Sequence, residues 1–200
     1  ISRCKYDDRS SVKVANYSSF FVAVMISMTL YVFTASLVSG YYSTFKKFGI
    51  GKAIDSRPLK KNQIRAELAW GLCTSFNSGV LLWTSATFLP LPLYPESTSA
   101  AILQVATFIL IYDFYMYGSH RLLHTAAMSK FHTRHHKAIS ATPWSCLSMH
   151  PVEAIINYLP FFLIPAILPI SLAVLLGIYA YLLFGIAIGH SNYSLLSDSN

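Results

Sequence analysis

Charged side chains are missing from three long stretches of this 200-residue chain: none falls between Lys13 and Lys46, between Glu67 and Glu96, or between Glu153 and Asp198. A helix needs ~20 apolar residues to cross ~30 Å of hydrocarbon, so each stretch has room for at least one span. The pattern predicts a first span over residues 17–41, ending on Tyr41 and Tyr42 ahead of Lys46 and Lys47, an aromatic and basic border of the kind found at membrane interfaces. A polar segment follows, with Gly51 and Pro58 as breakers. A second span is predicted over residues 68–89 and stops at Pro90, because proline cannot continue a helix. Beyond Glu96, residues 100–117 read as a third helix, interrupted only by Asp113. The last stretch, residues 154–189, would measure ~54 Å as one helix at ~1.5 Å per residue, too long for a single span. With Pro160, Pro165 and Pro169 as breaks, it reads as a bent hairpin that enters the membrane and returns.

Composition agrees: 54% of the residues are hydrophobic and 12% charged, about half the ~25% usual for soluble domains. These values exclude disordered, fibrous and small disulfide-rich secreted classes. The expected fold class is all-α, a multi-pass integral membrane helical bundle, with residues 1–200 as a single membrane-embedded domain. The net charge of +7 raises the question of nucleic acid, but the basic residues border the spans: seven lie between Lys46 and Arg65, and Arg121, Lys130, Arg134 and Lys137 sit among histidines. No recognition module accompanies them, so no nucleic-acid partner is expected. The positive-inside rule puts the seven-base segment in the cytosol. The third helix and the returning hairpin then bring their ends to the same side, and the N-terminal segment becomes exoplasmic despite its four basic residues. Cys4, Cys73 and Cys146 form no C-x-x-C pair and read as idle thiols. No cleavable signal peptide is evident, and the first residue, Ile1, suggests a fragment.

Five of the seven histidines fall within seventeen residues, as His120-Arg-Leu-Leu-His124 and His132-Thr-Arg-His135-His136. Residues three and four apart share one face of a helix, so each group presents clustered imidazoles. Neutral imidazole is a ligand for iron, copper, nickel and zinc, and five at the mouth of a span point to a metal site. The zinc protease pattern H-E-x-x-H is absent, Arg121 standing where its Glu would be. Many nitrogens and few thiols suit redox-active irons beside a lipid. Asp113, two turns before His120 on nearly the same face, is expected either to accept an imidazole N–H from outside the ligand set or to pair with Arg121 or Arg134. His150, in His150-Pro-Val-Glu153, is either a ligand or a partner of Glu153 or of a helix start. His190, which the hairpin returns to the same membrane face, is expected to be a ligand.

The order H-x3-H then H-x2-H-H resembles the fatty-acid hydroxylase and sterol desaturase superfamily. Asp113 to Tyr117, the two histidine groups, Thr142-Pro143-Trp144 and His150-Pro151 are similar to its sterol C-5 desaturase branch, over roughly residues 60–192. The resemblance implies a non-haem di-iron oxygenase of the endoplasmic reticulum membrane, with its metal site on the cytosolic side. Such an enzyme takes electrons from a cytochrome b5-type donor and introduces a double bond into a sterol. Carried across, the ligands are His120, His124, His132, His135, His136 and His190. The family has a further histidine box downstream, which this chain lacks before Asn200, so an incomplete C-terminus and a partial iron site are expected. A sterol or lipid hydroxylase, and a non-catalytic membrane protein with a structural metal site, remain the alternatives.

Overall fold

The computed structural model describes residues 17–138 and 140–195. The N-terminal segment, expected on the exoplasmic side, and Cys4 lie outside the described residues, whereas Cys73 and Cys146 are free thiols. The elements run α1 (Tyr17–Lys47), β1 (Lys52–Ala53), α2 (Gln63–Phe88), α3 (Thr98–Leu123) and α4 (Ser129–His132). Two 3-10 turns at His135–Lys137 and Pro143–Leu147 precede α5 (Pro151–Tyr158), α6 (Pro160–Ile167), α7 (Leu172–Gly189) and β2 (Tyr193–Ser194).

All three predicted spans and the hairpin form helices, and most run further than the hydropathy pattern suggested. Helix α1 continues six residues beyond Tyr41 to Lys47, where its two lysines meet the partial negative charge of the helix end. Helix α3 starts at Thr98, with Ser97 Oγ accepting the Ala100 N–H at 3.1 Å, and continues past Tyr117 to place His120 on its last turn. The prolines of the hairpin act differently from one another. Pro160 opens α6 and Pro169 lies in the turn before α7, but Pro165 sits inside α6 and does not end it.

Among the described residues three helices, α1, α3 and α7, are long and apolar enough to cross a membrane. Helix α2 has the length but is more polar, and its buried face explains why. Gly71, Thr74, Ser75, Ser78, Gly79 and Ser85 form a strip of small residues on that face. Small residues let helix backbones approach closely in lipid, where no hydrophobic force drives association. The approach is close at two glycines: a Cβ on Gly71 would sit 2.1 Å from the Tyr31 hydroxyl, and one on Gly79 would sit 2.7 Å from Val24 Cα. Outward surfaces are apolar, with Phe21, Met25 and Phe33 of α1 and Leu103, Leu110 and Phe114 of α3 all exposed, as lipid contact requires.

Both ends of the bundle are pinned by hydrogen bonds. At one end Leu172 N–H and Ala173 N–H donate to Pro92 O and Leu93 O at 2.8 and 3.1 Å, and Gln104 Oε1 accepts from Ser171. At the other, β1 pairs antiparallel with β2, and Asn192 bonds Asp55 through both its side-chain groups. The C-terminal ends of α1, α3 and α7 and the start of α2 therefore share one end, as the charge pattern required. Between the two ends, Ser27 Oγ, Ser78 Oγ and Tyr179 Oη lie within 2.6 to 3.0 Å of one another and tie α1, α2 and α7. Tyr179→Phe removes the ring's shared hydroxyl and leaves two serines to satisfy each other. It should lower stability by about 1 kcal/mol, read as thermal unfolding in detergent. An unchanged midpoint would show that the hydroxyls do not hold the helices together.

Candidate metal centre

Each histidine group occupies a short, differently shaped piece of backbone. His120 lies on the last turn of α3 and His124 caps it, four residues on, so their rings meet edge to face with Nε2 atoms 3.1 Å apart. A tight turn reverses the chain into the four-residue α4, which ends on buried His132. The 3-10 turn that follows brings His136 Nε2 to 2.8 Å from His132 Nε2. The turn and the helix end face each other: His132 approaches His120 and His124 with ring centroids 4.7 Å apart in both cases. One nitrogen from each of His120, His124, His132 and His136 lies within 4.8 Å of the other three.

Four imidazole nitrogens so close fit a cation. Bare lone pairs at these separations repel unless a proton or a positive ion lies between them. Adjacent nitrogens bound at ~2.1 Å around one ion stand ~3 Å apart, matching the two pairs. Burial, reinforced by the neighbouring imidazoles, pushes His132 down to about 4 and His135 down to about 3 from the usual 6.5, so both imidazoles are neutral at physiological pH, the form that can bind a metal. Nitrogen donors of this kind suit iron, copper, nickel or zinc.

His135 faces away from that group of four. Its ring stacks 5.8 Å from His132 and meets His190 at 5.2 Å, and its buried Nδ1 has no hydrogen-bond partner. His190 caps α7, and its Nδ1 lies 2.9 Å from Ile186 O, where an N–H donates and leaves Nε2 free. His150, for which two roles were open, is a helix cap: its Nδ1 accepts the Val152 N–H at 3.2 Å and its ring packs on Phe131 and Trp70.

Asp113 does not orient an imidazole. It is exposed, and among the described residues it has neither a hydrogen bond nor an ion pair. Seven residues bring it to nearly the same face as His120, but also ~10 Å up the helix axis, beyond hydrogen-bond reach. Nor do the two arginines pair with it: Arg121 donates to Tyr117 Oη at 2.8 Å, and Arg134 lies over the Trp70 ring.

Two buried carboxylates take up the polar structure around the site: Glu67, to which the sequence assigned no role, and Glu153, expected there only as an alternative partner of His150. Glu153 Oε1 lies 2.8 Å from His132 Nδ1. Glu67 accepts Gln63 Nε2–H at 2.8 Å and the Thr142 hydroxyl at 2.5 Å, and Gln63 also donates to Ser140 O, so α2 holds the segment after the second histidine group. Both acids stand at the border of an uncharged stretch, which was the available signal. Their imidazole and hydroxyl partners are 21 and 75 residues away.

The depressed histidines set a pH dependence. Unfolded, each takes up a proton near 6.5; folded, only near 4 or 3. Their contribution to stability is therefore complete above pH 6.5 and is lost as the pH falls toward those folded values. Metal-free protein should show a thermal midpoint that falls progressively below pH 6.5, and replacing both histidines with Asn should flatten that slope. An equal slope in the variant would contradict this assignment.

Residues 105–199, which include all seven histidines, match the fatty acid hydroxylase family. The chain is 28% identical over 196 residues to a Delta(7)-sterol 5(6)-desaturase of Aspergillus fumigatus, covering 90% of this chain and 55% of that protein. It is 26% identical to the Delta(7)-sterol 5(6)-desaturase of Saccharomyces cerevisiae, covering 95% and 53%. Against the lathosterol oxidase of Homo sapiens it is 27% identical, covering 75% and 52%. The chain thus spans about half the length of the curated relatives it matches. No solved structure matches it. Residues 105–199 thus match the fatty acid hydroxylase family model, and the chain around them is similar to Delta(7)-sterol 5(6)-desaturases and lathosterol oxidase.

Proposed function

We propose that this chain bears the metal centre of a membrane oxidoreductase that introduces a double bond into a sterol, with iron as the metal and dioxygen as the oxidant. The observation that carries the reading is the convergence of His120, His124, His132 and His136 at the end of an apolar bundle, in a chain related to named sterol desaturases. Iron, when bound, supplies the oxidising power to break an unactivated C–H bond, which side-chain acids and bases cannot do at useful rates.

The chain's own residues contribute binding and placement. The four converging histidines hold one ion, and His135 with His190 begin a second position, as a di-iron enzyme requires. His190 is oriented for this by its bond to Ile186 O. The lipid-facing sides of α1 and α3 keep a sterol in the bilayer. Removing two hydrogens from the sterol while reducing O2 to two waters takes two further electrons and two protons. An outside carrier must deliver them, and a cytochrome b5-type donor fits the family resemblance. The histidines share their end of the bundle with the segment holding seven basic residues, which supports a cytosolic site on the endoplasmic reticulum membrane.

His124→Ala removes one of the four converging nitrogens. In membranes from a host without its own Delta(7)-sterol desaturation, the variant should lose bound iron and at least ~100-fold of product, more than loss of an outer partner costs. Wild-type product formation by the variant would overturn the proposal. A product one oxygen heavier than the substrate, in place of one two hydrogens lighter, would select the hydroxylase reading that the matched family domain also supports.

A further inference from the structure

Glu153 is a buried acid with one side-chain partner. It lies on the first turn of α5, is 1% exposed, and its Oε1 stands 2.8 Å from Nδ1 of His132, itself 2% exposed. Its other oxygen, Oε2, is buried and has no hydrogen-bond partner. Taking a carboxyl group out of water costs several kcal/mol unless its interactions offset the loss, so a structural reason for its presence has to be sought.

Helix capping is not a sufficient reason. Glu153 stands three residues after the His150 cap, whose backbone N–H acts on its carboxyl group, but the start of α5 is also secured by Pro151 at its first position and by the His150 ring, which accepts the Val152 N–H. Core filling does not provide one either, since an apolar side chain of the same size would fill the space without desolvating two oxygens. What remains is the contact with His132, whose opposite nitrogen, Nε2, lies 2.8 Å from His136 Nε2 in the group of four.

A neutral imidazole carries one proton, on either Nδ1 or Nε2, and only the bare nitrogen can bind a metal. Once ionised, as a positive ion in the group of four favours, the Glu153 carboxylate only accepts hydrogen bonds. Placed at Nδ1, it holds the proton there and leaves Nε2 bare toward the other three histidines. The same contact fixes the ring plane and raises the basicity of the binding nitrogen.

We infer that Glu153 is a positioning residue for the metal centre: it sets the tautomer and direction of His132, and so couples the first turn of the hairpin arm to the ion. This rests on the metal-binding reading given above. A side chain that can donate as well as accept, as in Glu153→Gln, permits the wrong tautomer. One that can do neither, as in Glu153→Leu, leaves the ring unoriented.

The test uses the purified full chain in detergent, titrated with Co(II) as a spectroscopic probe, alongside 15N NMR of the His132 ring in metal-free protein. In the wild type, Co(II) should bind and the ring should carry its proton on Nδ1. Glu153→Gln should retain the helical circular dichroism of the wild type, show both tautomers, and bind Co(II) ~10- to 100-fold more weakly with a shifted absorption band. Glu153→Asp, which keeps the charge on a shorter arm, should recover part of the affinity, and Glu153→Leu serves as the second variant should the Gln form fail to fold. Wild-type Co(II) affinity with an unaltered His132 tautomer in folded Glu153→Gln or Glu153→Leu overturns the role of Glu153. Failure of the wild type itself to take up Co(II) or iron overturns the metal-binding reading instead.

Discussion

Imidazole nitrogens can replace the water around a metal ion only if they are uncharged and already face a common point. That requirement conflicts with a bundle made mostly of apolar side chains, because every polar group drawn into it must find a partner or carry a desolvation cost. The conflict is resolved by confining the ligand chemistry to one end. Backbone groups there are capped, the Val152 N–H by His150 and the Ile186 carbonyl by His190; carboxylates are paired, as at Glu153 and Glu67; and the rings of His132 and His135 are buried deeply enough to stay neutral.

The rest of the bundle provides rigidity for that end. Tyr31 of α1 packs over Gly71 of α2 and donates its hydroxyl to Trp144 O at 2.8 Å, linking the most closely packed helix pair to the 3-10 turn beyond the histidines. The shared hydroxyls of Ser27, Ser78 and Tyr179 lock α7 to the same pair, and α7 in turn delivers His190. A displacement of one helix would be felt at the rings through these contacts, because packed interiors do not deform gradually. Chemistry and packing are separated in space yet mechanically continuous.

Much of this was legible in one dimension. Uncharged stretches located the helices because lipid imposes the same demand on every residue of a span, and i, i+4 spacing located His120 with His124 and His132 with His136 because helical periodicity is local. Asp113 misled for the same reason. Angular position around a helix can be counted from the sequence, and it agreed, but separation along the axis decided the contact. Pro165 also departed from expectation, its residue type arguing for a break where the packed arm of the hairpin remains helical.

Sequence alone determined that the chain is a membrane bundle, and that its imidazoles belong to short helical groups at the polar border, because those properties depend on neighbours within a few turns. Tertiary structure decided which rings meet, that His150 caps a helix, and that Glu153 and Glu67 stand beneath the site. Those outcomes depend on how α2, α3 and the hairpin fold back on one another, bringing together side chains 21 to 75 residues apart whose approach no local spacing encodes.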